Sequence, residues 1–135
     1  SRSSQGVKIS AMVTAGISNA RCAGDRADWR KFQTDANPAG TINIIILTNA
    51  TMTHAAMVES VMLATEAKTV AMRKLGVKSP VSGTIATGTG TDAIAVANGF
   101  GSETIRYCGK HVLFGEMLAS VVIEAITESL SDRVM

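Results

Sequence analysis

Aromatic residues are scarce: three Phe, one Tyr and one Trp, 4% of 135 residues. There is no aromatic platform on which bases could stack. Basic residues form no run, and the net charge is only +2, so nucleic-acid binding is set aside. Cysteine is nearly absent too. Cys22 and Cys108 form no CxxC pair, which excludes a cysteine zinc site and a disulfide framework and leaves two reduced thiols of a cytoplasmic protein. His54 and His111 are the only histidines and lack HxH or HExxH spacing, so no metal is expected. Unbroken apolar runs last only a few residues, which is too short for a membrane span. No charged n-region precedes an apolar h-region, so no secretory signal is visible. The opening SRSS reads as a frayed or non-native start.

What the chain does have is a 46% apolar content built from Ala, Val, Ile, Leu and seven Met, enough for one domain spanning 1–135. Val7–Ile17 alternates loosely and ends at Gly16, as a strand entering a loop does. Residues 18–40 show no period and read as a long functional connection. Thr41–Asn49, "TINIIILTN", is β-branched and almost wholly apolar, which predicts a central strand covered on both faces. A six-turn helix follows, capped by Thr51 or Thr53 and closed by Gly76, with Met57, Val61, Ala64, Lys68 and Ala71 on one stripe. Ser82–Ala86 and Asp92–Ala97 read as two further strands, Ile105–Cys108 as a short one, and His111–Arg133 as a last helix. The order predicts an α/β or α+β fold: a single mixed sheet of four to five strands with two main helices packed on it.

Polar residues gather at the ends of these elements. "TAGISNARCAGD" places Thr14, Gly16, Ser18, Asn19, Arg21 and Asp25 at and just past the end of the first strand. Asn43 interrupts an apolar strand, and a buried amide there needs partners. Glu66 and Lys68 lie about 200° apart on the helix, so only one faces inward; the stripe selects Lys68, with Asp92 as its candidate anion. "YCGKHVLFGE" brings Lys110 and His111 to the start of the second helix. "TGTGTD", with Thr87, Gly88, Gly90, Thr91 and Asp92, is no Walker loop, because GxxxxGK[ST] is missing and no helix follows. It reads either as a site edge where backbone approaches a ligand or as a plain hairpin turn.

Taken in order, "SAMVTAGISNARCAGD", "GTINIIILTN", "EAKTVAMRKLGV", "TGTGTDAIAVA" and "GKHVLFGE" resemble the adenosylcobinamide amidohydrolase family from about Ser10 to Ala119. The resemblance implies an N-terminal portion ahead of the first segment. It also implies hydrolysis of the amide that joins the corrin propionate to its aminopropanol arm, giving adenosylcobyric acid and 1-amino-2-propanol in cobalamin salvage. The corrinoid substrate carries its own cobalt, so no cofactor is implied.

Amide hydrolysis needs a base, proton carriers and donors for an oxyanion. From their chemistry and clustering, the base is His111 or Asp92, with Lys68, Asn19 and Asn43 stabilising the oxyanion and Glu66 carrying a second proton. Ser18, Thr87, Gly88, Gly90, Thr91 and Lys110 complete the substrate surface. A covalent route through Ser18, Thr87 or Thr91 is the rival, although no Gly-x-Ser-x-Gly elbow supports it. Two other functions stay open: a non-catalytic corrinoid- or nucleotide-binding module, and a homo-oligomer whose apolar strands pair across an interface.

Overall fold

Alternation decides how the sheet is covered. Among residues 1–29, 31–32 and 39–134, which the computed structural model of the chain describes, the strand Ile42–Thr48 buries Ile42, Ile44 and Ile46 and exposes Asn43, Ile45 and Leu47. With Arg2–Ser4 as β1, Val7–Ala15 as β2, Ala20–Arg21 as β3 and Ile42–Thr48 as β4, the chain continues through β5 (Thr51–Met52) to the helix α1 (His54–Leu75). It then forms β6 (Gly88–Thr89), β7 (Ala93–Ala97), β8 (Thr104–Ile105) and the helix α2 (Leu113–Val134). The main sheet runs β1-β2-β4-β7; β1, β2 and β4 are antiparallel neighbours, and β7 lies parallel to β4. Two short ladders flank it, β3 with β6 and β5 with β8. The fold is α+β, two helices on a mixed four-stranded sheet.

Both helices lie on one face. α2 packs on β2, α1 on β7, and the helices pack on each other. Ile9, Ile44, Ile46, Met72, Leu118, Val122, Ile126 and Leu130 are almost wholly enclosed between the layers. Each such side chain contributes about 1.5–3 kcal/mol relative to remaining in water. The expected covering of β4 on both faces is therefore corrected. Its second face is open, and there Met12, Ile45 and Leu47 stand 59%, 41% and 37% exposed in cross-strand register with Ala95 and Ala97.

α1 ends as its sequence requires. The Thr53 side chain accepts from the Ala56 N–H, and Gly76, at φ +67, takes the left-handed C-cap conformation that a side chain disfavours. Its inward stripe holds Ala56, Ser60, Leu63, Ala64, Ala67, Lys68, Ala71 and Met72. Lys68 is where the spacing puts it, but Val61 is 39% exposed, so the buried stripe is rotated towards the alanines. Small side chains there let α1 sit close to the sheet and to α2.

Four other expectations are corrected. Arg2–Ser4 is not a frayed start; it pairs antiparallel with β2. Ser82–Ala86 forms no strand, only one bridge from Ile85 to Lys78 within a turn-rich segment. The short strand expected over Ile105–Cys108 is Thr104–Ile105, and α2 begins at Leu113, leaving His111 in the preceding turn. Gly88–Thr89 and Ala93–Ala97 are not a hairpin: β6 pairs with β3 while β7 pairs with β4, so the GTGTD turn carries the chain from one sheet to another.

Candidate active site

That change of sheet builds the site. Because β6 leaves for β3, the turn must be held from below, and Asp92 does this. Its Oδ1 accepts the Ile42 N–H at 3.1 Å and the Thr89 hydroxyl, and its Oδ2 accepts the Thr89 N–H at 2.9 Å. The fourth donor is Lys68, whose Nζ stands 2.6 Å from Oδ2, with both side chains 10% exposed. One carboxylate thus ties α1, the first residue of β4 and both ends of the turn. All four of its lone-pair positions are taken. A pair this enclosed is kept only because further hydrogen bonds compensate its desolvation.

Gly88 makes the arrangement sterically feasible. A Cβ at this position would lie 2.0 Å from Asp92 Oδ2 and 2.7 Å from Lys68 Nζ. The rim is knitted from three loops. Gly90 N–H donates to the Asn19 carbonyl at 3.2 Å, and a Cβ on Gly90 would meet the Asn19 amide nitrogen at 2.8 Å. The Thr41 hydroxyl donates to the Thr91 carbonyl at 2.8 Å, the Thr91 hydroxyl to the Gly40 carbonyl at 3.3 Å, and the Ser18 hydroxyl to the Ala39 carbonyl at 3.0 Å. The Thr87 hydroxyl accepts the Ala23 N–H at 2.9 Å. The structure therefore brings Ser18, Asn19, Thr87, Gly88, Gly90, Thr91, Asp92 and Lys68 around one turn.

The remaining candidates lie elsewhere. Asn43 is exposed on the open sheet face, where its amide donates to the Thr14 hydroxyl across β2 and β4 at 3.1 Å; the buried amide expected there is not found. Glu66 pairs with Lys110 at 2.7 Å, both well exposed. His111 is exposed, its ring set against Gly109, where a Cβ would lie 3.0 Å from Cε1 and Nδ1. Beside it the Glu59 carboxylate accepts the Cys108 N–H. Cys108 is fully buried, and burial, with the Glu59 charge adding to it, pushes its thiol up to about 12. Among the described residues no hydrogen bond or ion pair links this second cluster to Lys68 or Asp92.

A third group joins Asp25 of the first polar cluster to Ser79, a partner that the sequence did not indicate. Asp25 Oδ2 accepts from the buried Ser79 hydroxyl and from the Cys22 N–H at 2.8 Å. Those bonds, the Ser79 one foremost, hold its carboxyl below the usual carboxylate range. The arrangement anchors the 22–25 loop to the segment after α1, and only the Asx-type spacing Cys22–Asp25 hinted at it. Among the described residues no three His, Cys, Asp or Glu side chains gather as a metal site, and no helix is long and apolar enough to cross a membrane. A groove beside the start of α2, lined by Gln5, Glu103, Ile105, Phe114 and Met117, holds none of the candidate residues.

Two known proteins are similar to this chain in sequence. A relative from Methanocaldococcus jannaschii, an uncharacterized protein, is 46% identical over 92 residues, 67% of this chain and 36% of its own length. The adenosylcobinamide amidohydrolase of Methanosarcina mazei is 34% identical over 134 residues, 93% of this chain and 58% of its own length. The chain thus spans roughly a third to three-fifths of these relatives. No solved structure matches it. The adenosylcobinamide amidohydrolase family model matches residues 1–134, and the chain belongs to that family.

Proposed function

We propose that the chain carries the hydrolytic site for the aminopropanol amide of adenosylcobinamide, in corrinoid salvage, and that Lys68 and Asp92 are its centre. The observation that carries this reading is the enclosed Lys68–Asp92 pair under a turn whose glycine leaves no side chain between the ions and the loop. The family membership supplies the substrate class.

The chemistry follows from the donors available. Lys68 has three N–H donors and spends one on Asp92, so two remain for a carbonyl oxygen. As the substrate amide binds, the ammonium swings towards its carbonyl oxygen and gives up Asp92 Oδ2. That vacates a lone pair for the attacking water. Water oxygen bonds to the carbonyl carbon, Asp92 takes its proton, and the oxyanion is held by Lys68. The C–N bond then breaks as the proton passes to the leaving nitrogen, giving a carboxylate and a protonated aminopropanol. The saturated Asp92 of the resting state becomes a base only when substrate draws Lys68 away. Ser18, Asn19, Thr87 and Thr91 present hydroxyl and amide groups suited to the amide-rimmed edge of a corrin, with Gly88 and Gly90 permitting close approach. Asn43 would meet it on the sheet face, while Glu66, Lys110 and His111 contact the more distant parts of this large ligand. The cobalt belongs to the substrate, and the site needs no resident metal.

The test is incubation with adenosylcobinamide and mass detection of adenosylcobyric acid and aminopropanol, for wild type, Lys68→Met and His111→Ala. The reading expects wild-type turnover, a loss of at least about a hundredfold in Lys68→Met, as for other oxyanion donors, and a smaller loss in His111→Ala. A wild type that binds the corrinoid, seen by its visible spectrum, without cleaving it would favour a binding module that needs the additional length found in the relatives. A Lys68→Met protein with normal turnover would reject the mechanism.

A further inference from the structure

Arg21 stands in the first polar cluster without an assigned role, and the ladder sets it opposite Gly88 in the antiparallel β3–β6 pair. Directly opposed residues in such a pair send their side chains to the same side, with Cβ positions about 5 Å apart. On that side of Gly88 stand Asp92 Oδ2 and Lys68 Nζ, 2.0 and 2.7 Å from where its Cβ would be. Arg21 therefore leaves its strand on the face that holds the ion pair. Its side chain is 21% exposed, and Nη2 donates to the Asp28 carboxylate. Nη1 is buried and has no hydrogen-bond partner among the described residues.

A buried guanidinium N–H without an acceptor is costly, and the vacancy has a defined chemistry: it wants an oxygen, and an anionic one more than a neutral one. Amide hydrolysis turns a neutral carbonyl oxygen into a carboxylate. We propose that Arg21 is a substrate-binding and specificity residue of this site: Nη1 donates to the carbonyl oxygen of the amide being cleaved and holds the carboxylate product beside the Lys68 ammonium. The inference rests on the amide-hydrolysis reading above. Asp28, 63% exposed, is a solvent-facing partner of Nη2, and an ion pair this exposed contributes little.

The competing account makes Arg21 a tether for the 22–28 loop through Asp28, and the two differ in what Asp28 does. Wild type, Arg21→Lys, Arg21→Met and Asp28→Asn are compared for kcat and KM on adenosylcobinamide, and for the affinity of adenosylcobyric acid against adenosylcobinamide by titration. Arg21→Met is expected to weaken the carboxylate product at least tenfold and to abolish the preference for it over the carboxamide. Arg21→Lys should restore part of that preference, and Asp28→Asn should stay within twofold of wild type. If Asp28→Asn reproduces Arg21→Met, or if Arg21→Met binds the product normally, the assignment is overturned. Should Arg21→Met fail to fold, the contrast between Arg21→Lys and Asp28→Asn decides in the same way. Wild-type turnover in the same series separates the two ideas. A wild type that neither binds nor cleaves overturns both, whereas normal cleavage with an indifferent Arg21 overturns only this one.

Discussion

Breaking the Lys68–Asp92 pair from its two ends should cost different amounts, and the geometry says which end matters more. In Lys68→Met the carboxylate loses one donor and keeps three: the Ile42 N–H, the Thr89 N–H and the Thr89 hydroxyl. An anion so held remains largely compensated, and the methionine fills most of the lysine's volume. A cost of about 2 kcal/mol follows, near the value for one charge-assisted hydrogen bond. In Asp92→Asn the loss compounds. Four donors converge on two carboxylate oxygens, and an amide offers one oxygen and a nitrogen that is itself a donor. At least one backbone N–H then faces an N–H, and the nearly buried Lys68 ammonium loses its carboxylate. Removing one partner of a buried pair in this manner costs about 3–5 kcal/mol. For a domain of this size that is a fall in Tm of roughly 10–20 °C, against about half that for Lys68→Met. The double variant should be less destabilised than the sum, because the stranded ammonium is gone. Urea titrations of the three proteins at pH 7 test this. If Lys68→Met proves as costly as Asp92→Asn, or costlier, the four-donor cradle is not what holds the turn.

Gly88→Ala should cost at least about 2 kcal/mol by overpacking, since its Cβ would meet Asp92 Oδ2 at 2.0 Å; Gly90→Ala, which meets only the Asn19 amide at 2.8 Å, should cost much less, both read by thermal melts. In the native state a thiol reagent should modify half-buried Cys22 and leave fully buried Cys108 untouched until the chain unfolds. Cys108 stays protonated when folded to about pH 12, while the unfolded thiol ionises near 8.5, so folding stability should fall by about 1.4 kcal/mol per pH unit between them. Cys108→Ala should remove that alkaline slope. Asp25 has the opposite sign. Its depressed carboxyl contributes stability that is fully present above about pH 4, the unfolded value, and is lost as pH falls through the lower folded one. Ser79→Ala removes the main cause, so its Tm should be lower at pH 7 but fall less between pH 4 and 2.

Much of the frame was legible because helix punctuation is local. Thr53, Gly76 and the cationic last turn of Arg73 and Lys74 mark α1 without reference to anything distant. The inward lysine was legible for the same reason: a 100° step between residues separates Glu66 from Lys68 whatever the tertiary fold, and Asp92, its candidate anion, is the partner found. Sheet partnership is not local, and the errors fall there. Thr89 and Ala93 are separated by a turn of hairpin composition, and nothing in those residues says that one side of it joins Ala20–Arg21 and the other joins β4. The run "INIIILT" reads as doubly buried because Ile45 and Leu47 are as apolar as Ile44 and Ile46; only the placement of both helices on one side leaves the first two exposed. Arg21 shows the same limit at the site itself. It stands in a cluster of polar residues that assigns it no role, and its placement appears only through Gly88, 67 positions away in the chain. A residue that acts across a two-residue ladder leaves no period and no spacing to count. What betrays it is a donor with nothing to donate to, and that is visible only once the chain has folded.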